Sequence, residues 1–418
     1  MSYSPNSVRV IAMFILLFSF LSKVISLGTP PNYYFDEVYH AFTARQYLHQ
    51  NPQAYDPWAT PPQGVAFEWT HPPLAKIFMA VSMSLVGENA FGWRFSSVVF
   101  GTGVIALTMA IAFLLFRNGR VAVLAGALLS VDGLFFVQSR IAMNDSHFLF
   151  FFLLSLYFYL RWKTSGSWKT IVGSGMAFGL ALACKWTAIY LLPILALDQL
   201  FLLIQTKKFE ITRYAKMICV FLLIPPVMYL ASYTQYFSMG FTWKQYIDLQ
   251  QQMWWYHTSL KATHPYQSMP LQWIFDLRPV WMYSGSTDTI ARNIYNLGNP
   301  ILFYGGLIAI IALVLKQFEK YDQNQSFLLV MYGMIWIPWS FSPRIMFFYH
   351  YTPAVPSLAI ALAYLLIRAS QHPTGKLVLK GTFLLALIWF VAFYPHLSGM
   401  EVPRWFAEKV YFTVPSWK

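Results

Sequence analysis

Two adjacent carboxylates, Asp36 and Glu37, stand in the stretch NYYFDEVYHAFTARQYL (residues 32–48), among Tyr33, Tyr34, Phe35, Tyr39 and His40. An apolar segment long enough to cross a membrane precedes them. A carboxylate so placed could act as a general base, help to ligate a metal, or cap the helix that follows. Glycoside cleavage with an alcohol leaving group needs two carboxyl groups, because the leaving oxygen must be protonated. A phosphate leaving group needs cations instead, and one carboxylate then suffices to take the proton of an incoming hydroxyl.

The elements that must position this pair are membrane helices. Of 418 residues, 57% are hydrophobic and 11% charged, with a mean hydropathy of +0.48, whereas soluble domains carry about a quarter charged residues. Eleven apolar segments qualify as spans: 8–27, 92–116, 120–138, 146–162, 170–184, 186–205, 217–236, 298–315, 326–342, 347–368 and 377–395. The first is read as a retained helix, since it spans and lacks an A-x-A-like cleavage site. Lys and Arg cluster in the even-numbered connections, for example Arg117 and Arg120, or Lys207, Lys208, Arg213 and Lys216. Those connections are therefore expected in the cytoplasm, with the N-terminus inside and the C-terminus outside. Two long outward loops result, 28–91 and 237–297, rich in Trp, Tyr and Pro and expected to hold juxtamembrane helices such as 74–87. The expectation is one all-α membrane domain over residues 1–418.

The formal charge of +13 does not argue for nucleic acid, because topology accounts for most of it. Cys184 and Cys219 lack CxxC spacing and read as packing residues. Lys76, Arg94, Arg140, Lys185, Arg278 and Arg344 break the topology rule by falling in outward loops or at outer span ends. Snorkelling explains such charges singly; several beside an acidic pair call for an anionic ligand, and a polyprenyl-phosphate headgroup fits. No G-x-G-x-x-G or P-loop points to a nucleotide.

Six motifs, FDEVYHAFTARQYL, HPPLAK (71–76), DGLFFVQSRIAMND (132–145), CKWTAIYLL (184–192), HPYQSMPLQWIFDLRPVW (264–281) and FFYHYTPAVP (347–356), together resemble the protein O-mannosyltransferase family. The resemblance runs in order from about residue 32 to 368 and implies the GT-C fold of polyprenyl-phosphate-dependent glycosyltransferases. It departs in two places. Family members often read RIAMLD where this chain has Asn144 before Asp145. The second long loop is also too short for the extra lumenal MIR domain of eukaryotic members, so the compact bacterial form is the better match.

The resemblance implies that Asp36 is the base, with Glu37 orienting the acceptor, holding the local fold or helping to bind a metal. It also makes Arg140 the first choice for the donor phosphate, with Lys76, Lys185 and Arg344 as further cations. His71 is expected to fix the loop and Asp145 could pair with Arg140, and both are also counted among the residues of the substrate groove. His264, Asp276, Arg278, His350 and Tyr351 are expected to line the donor or acceptor groove. Trp58, Trp69, Trp254, Trp255 and Trp281 could stack on sugars or anchor at the interface. No cofactor is expected; Asp36, Glu37, His71, His264 and His350 could ligate a divalent metal, but no H-x-x-x-H or Cys/His spacing supports one. The expected reaction is an inverting transfer of mannose from polyprenyl-phosphate-mannose to Ser or Thr of exported proteins, at the outer face of the cell membrane. Two rivals are the same fold acting on lipid A or an envelope glycan, and a transporter of an anionic lipid.

Overall fold

The computed structural model describes residues 5–414 and 417. In chain order the helices are α1 (Pro5–Val24), α2 (His40–Leu48), α3 (Leu74–Val86), α4 (Ala90–Phe116), α5 (Gly119–Ser130), α6 (Gly133–Gln138), α7 (Asp145–Ser165), α8 (Trp168–Cys184) and α9 (Leu191–Thr206). They continue with α10 (Ile211–Ala231), α11 (Thr234–Ser238), α12 (Trp243–Ser259), α13 (Pro270–Trp273), α14 (Pro300–Glu319), α15 (Gln323–Trp336), α16 (Val355–Ala369) and α17 (Pro373–Ser398).

Among the described residues, seven helices are long and apolar enough to cross a membrane: Pro5–Val24, Ala90–Phe116, Trp186–Thr206, Ile211–Ala231, Pro300–Glu319, Phe348–Ala369 and Pro373–Ser398. The other four expected spans fall on α5 with α6, and on α7, α8 and α15. These are shorter, or, like α7, carry charge at their ends (Asp145, Arg161, Lys163). Both α4 and α7 are largely buried and belong to one core that also takes in α5 and α16.

The expected span 120–138 is broken where Asp132 caps a new helix. Its Oδ1 accepts from the Phe135 amide at 2.7 Å, and its Oδ2 accepts from the Asn299 amide at 3.0 Å. Gly133 follows because any Cβ there would stand 2.3 Å from the Leu297 carbonyl oxygen. Asn299 caps α14 in turn, its Oδ1 accepting from Ile301 at 3.1 Å with Pro300 in the first turn. One carboxylate thus ties two helix starts together.

The all-α expectation needs a correction. The second long loop contains β1 (Val280–Ser284) and β2 (Ile290–Asn296), an antiparallel pair, and β3 (Glu401–Pro403) adds to β2. VWMYS and IARNIYN are rich in aromatic and β-branched residues, which suit a half-buried pleated surface. Helices α2 and α3 occupy the first long loop, and α12 and α13 the second.

Candidate active site

The first long loop, the α6–α7 hinge, the entry to α9, the second long loop and the entry to α16 converge on one cavity of about 770 Å³. Asp36 reaches it from a single 3₁₀ turn, Phe35–Val38. Phe35 holds a left-handed backbone, φ +50°, which costs a residue with a Cβ about 1–3 kcal/mol and persists only where its surroundings enforce it.

Glu37 supplies that enforcement. It is fully buried and does not line the cavity. Its Oε1 accepts from Arg94 Nε at 2.8 Å and from the Ala142 amide at 3.1 Å. Its Oε2 accepts from Arg94 Nη2 at 2.8 Å, Trp93 Nε1 at 3.2 Å and the Tyr34 amide at 3.3 Å. The remaining Arg94 donors go to the carbonyls of Leu27, Pro30 and Asn32. Of the roles open to Glu37, the structure favours holding the local fold: its carboxylate bolts the turn bearing Asp36 to α4 and to the hinge bearing Asp145.

Burial pushes the Asp36 carboxyl up to about 7, with the Asp145 charge adding to the rise and Lys185 opposing it. Glu68, also on the wall, raises it further, and the Tyr349 hydroxyl lowers it. That places Asp36 where a general base works best near neutral pH. Asp145 pairs with Lys185, Oδ1 to Nζ 2.9 Å, and both face the cavity. The expected pairing of Asp145 with Arg140 is therefore corrected.

Arg344 is the second cation on the wall. Its guanidinium lies over Tyr256, 4.9 Å from the ring centre, and donates to His257 Nδ1. His257 Nε2 is then free to donate to the Thr70 carbonyl at 2.7 Å. Burial, with Arg344 beside it, lowers His257 to about 4, so the imidazole is neutral.

Arg140, Lys76, Asp276, Arg278 and Tyr351 do not line the cavity, contrary to expectation. Arg140 is buried and gives its Nη1 to the carbonyls of Ser22, Lys23 and Ile25, closing the C-terminal end of α1, where carbonyls lack helical partners. Lys76 is fully buried against Glu68 and the His71 carbonyl. Arg278 donates to the Pro265 carbonyl at 2.8 Å, and the Tyr351 hydroxyl pairs with that of Tyr332 at 2.7 Å. Asp276 is buried elsewhere in the second loop, and its burial, with Asp132 nearby, raises its carboxyl well above the usual range. His71, His264 and His350 do line the cavity, as does Trp69. Trp58, Trp254 and Trp255 are exposed away from it, and Trp281 packs on Tyr295 and Phe412.

Sequence reasoning overlooked Glu68 and His40. Glu68 holds Lys76, and its Oε1 lies 2.9 Å from His71 Nδ1. Burial alone would raise this carboxyl, but Lys76, His71 and His40 hold it well below its ordinary range. Burial lowers His71 to about 3 and His40 to about 4 against the pull of Glu68. The available signal was EWTHPPLAK itself, which sets a Glu three residues before a His and eight before a Lys. Among the described residues, no group of three His, Cys, Asp or Glu is arranged to hold a metal ion.

Solved structures share this architecture. The Saccharomyces cerevisiae protein O-mannosyltransferase Pmt1–Pmt2 complex bound to the sugar donor matches with a TM-score of 0.84 at 14% identity, over 99% of this chain and 93% of that one. ArnT of Cupriavidus metallidurans bound to undecaprenyl phosphate matches with a TM-score of 0.63 at 13% identity, over 95% of this chain and 77% of that one. The fold is thus that of the GT-C membrane glycosyltransferases. Residues 13–241 match the dolichyl-phosphate-mannose-protein mannosyltransferase family, and residues 242–413 match the C-terminal four-transmembrane region of protein O-mannosyltransferases. The chain belongs to that family. A polyprenol-phosphate-mannose–protein mannosyltransferase of Corynebacterium glutamicum is 27% identical, aligned over 98% of this chain and 92% of its own. The Mycobacterium tuberculosis protein of the same description is 25% identical, over 95% of this chain and 88% of its own.

Proposed function

We propose that the protein transfers mannose from a polyprenyl-phosphate-mannose donor to Ser or Thr hydroxyls of exported proteins. The observation that carries this reading is a single cavity holding one carboxylate tuned to about 7, Asp36, beside two cations, Lys185 and Arg344. In the reaction the acceptor oxygen attacks the anomeric carbon and its proton passes to Asp36. The bond from that carbon to the phosphate oxygen breaks, and polyprenyl phosphate leaves with the electron pair. Lys185 and Arg344 stabilise the charge on the leaving phosphate. Attack opposite the leaving group inverts the anomeric centre.

On this reading the countercharge comes from side chains, and treatment with EDTA leaves transfer unchanged. The polyprenyl tail lies in the bilayer, the cavity opens on the outer face of the cell membrane, and eleven segments cross it. The named activities of the bacterial relatives support a protein acceptor over a lipid one.

The test uses purified protein, radiolabelled polyprenyl-phosphate-mannose and a Ser/Thr-rich peptide, with Asp36→Asn alongside. Label on the peptide that depends on Asp36 supports both reaction and residue. Label appearing only on added lipid A moves the acceptor to the envelope-lipid reading. Full peptide labelling by Asp36→Asn removes Asp36 as the base.

A further inference from the structure

Buried polar groups in proteins nearly always have a hydrogen-bond partner, and each exception asks for a reason. Asn144 is 2% exposed, and neither atom of its carboxamide has a partner among the described residues. It stands just before α7 but makes no capping bond there, so helix capping does not explain it. Met143 before it and Phe148 one helical turn after it are apolar and buried, and an apolar residue at position 144 would carry no unmet amide. The residue does, however, line the cavity, adjacent to Asp145 and its ion pair with Lys185.

On the other flank of that ion pair, Thr187 also lines the cavity with its buried Oγ1 unpartnered. His40 Nδ1 and Arg344 Nε are in the same condition on the same wall. Among the described residues, four with unmet donors or acceptors thus line this cavity, where a polyhydroxylated ligand could meet them, and eight others, Gln138 among them, lie away from it. Thr187 also borders a side chamber of about 10 Å³, room for about one water and none for a sugar ring. Of the four side chains, Asn144 alone leaves two polar atoms unmet, one donor and one acceptor.

We propose that Asn144 is a specificity-determining residue whose carboxamide hydrogen-bonds one hydroxyl of the sugar carried by the donor. The proposal rests on the donor class given above. A site built around such a bond discriminates strongly against a sugar lacking that hydroxyl, because its own polar group is then left unmet.

The experiment measures kcat/KM for the mannose donor and its 2-, 3-, 4- and 6-deoxy analogues, with wild type, Asn144→Leu and Asn144→Ser, and Tm for each protein. Asn144→Leu is expected to lose about tenfold on the mannose donor, with Tm unchanged or raised. One deoxy donor should be used equally well by wild type and variant, which identifies the hydroxyl read. A uniform loss across all five donors, or no loss at all, overturns the proposal. If Asn144→Leu does not fold, Asn144→Ser gives the same comparison. If wild-type protein transfers from none of the donors, the proposed function fails instead, and the two failures remain distinct.

Discussion

Asp36 and Glu37 are neighbours in sequence and opposites in surroundings. Glu37 has five hydrogen bonds, a bidentate arginine and no access to the cavity. Asp36 faces the cavity, with Asp145 and Lys185 as the charges that act on it most strongly. A buried carboxylate without a full set of partners is pushed toward its neutral form, whereas five donors fix the Glu37 carboxylate in one geometry. The pair teaches that an acidic dyad can divide its labour: one member faces the cavity while the other holds the turn that presents it.

Removing the reactive member should have the largest effect. Asp36→Asn is expected to lower kcat by about 10²–10⁴-fold with Tm retained, measured by peptide labelling and thermal unfolding in detergent. A variant losing activity and Tm together would assign Asp36 to the scaffold and erase the contrast with Glu37. Removing the inert member's partner should do the reverse. Arg94→Ala leaves the buried Glu37 carboxylate without its countercharge and is expected to destabilise by about 3–5 kcal/mol, read as lost Tm before lost activity per folded molecule.

The pH dependence sharpens the same contrast. With Asp36 near 7, kcat/KM should fall about tenfold per unit below that pH, because the base is then protonated. The sign for stability is opposite. Folding raises this carboxyl, so between about pH 4 and 7 the folded chain holds a proton that the unfolded chain has released. Asp36 therefore subtracts stability as pH rises through that window, and Asp36→Asn should flatten the slope of Tm against pH there. An unchanged slope would locate the raised carboxyl elsewhere.

The sequence made the membrane helices legible because hydropathy marks each one locally, and seven of the eleven expected segments fall on helices long and apolar enough to cross a membrane. Asp36 was legible for a related reason: an acidic pair directly after a span stands out against apolar neighbours. The partners were less legible, since charge and span end alone do not reveal direction. Asp145 meets Lys185 across 40 residues, and Glu37 meets Arg94 across 57. Neither separation follows from helical periodicity, and both are decided by how α4, α7 and α8 pack. The β1–β2 pair was missed because its strands lie in a loop read for its Trp, Tyr and Pro content.

The cations give the smallest and most discriminating effects. Lys185 and Arg344 line the cavity, and Lys185→Met or Arg344→Met is expected to lower kcat/KM for the donor by about 10–100-fold, the worth of one charge-assisted hydrogen bond. Arg140 ranked ahead of both in sequence, yet its Nη1 serves the carbonyls of Ser22, Lys23 and Ile25 at the end of α1. Arg140→Gln should then cost Tm by a few degrees while leaving donor KM within about twofold, because nothing on the phosphate's path is altered. Donor KM measured for all three variants at matched folded fraction decides the matter. A rise in KM for Arg140→Gln as large as for Arg344→Met would put the phosphate near α1 and move the donor site away from Lys185.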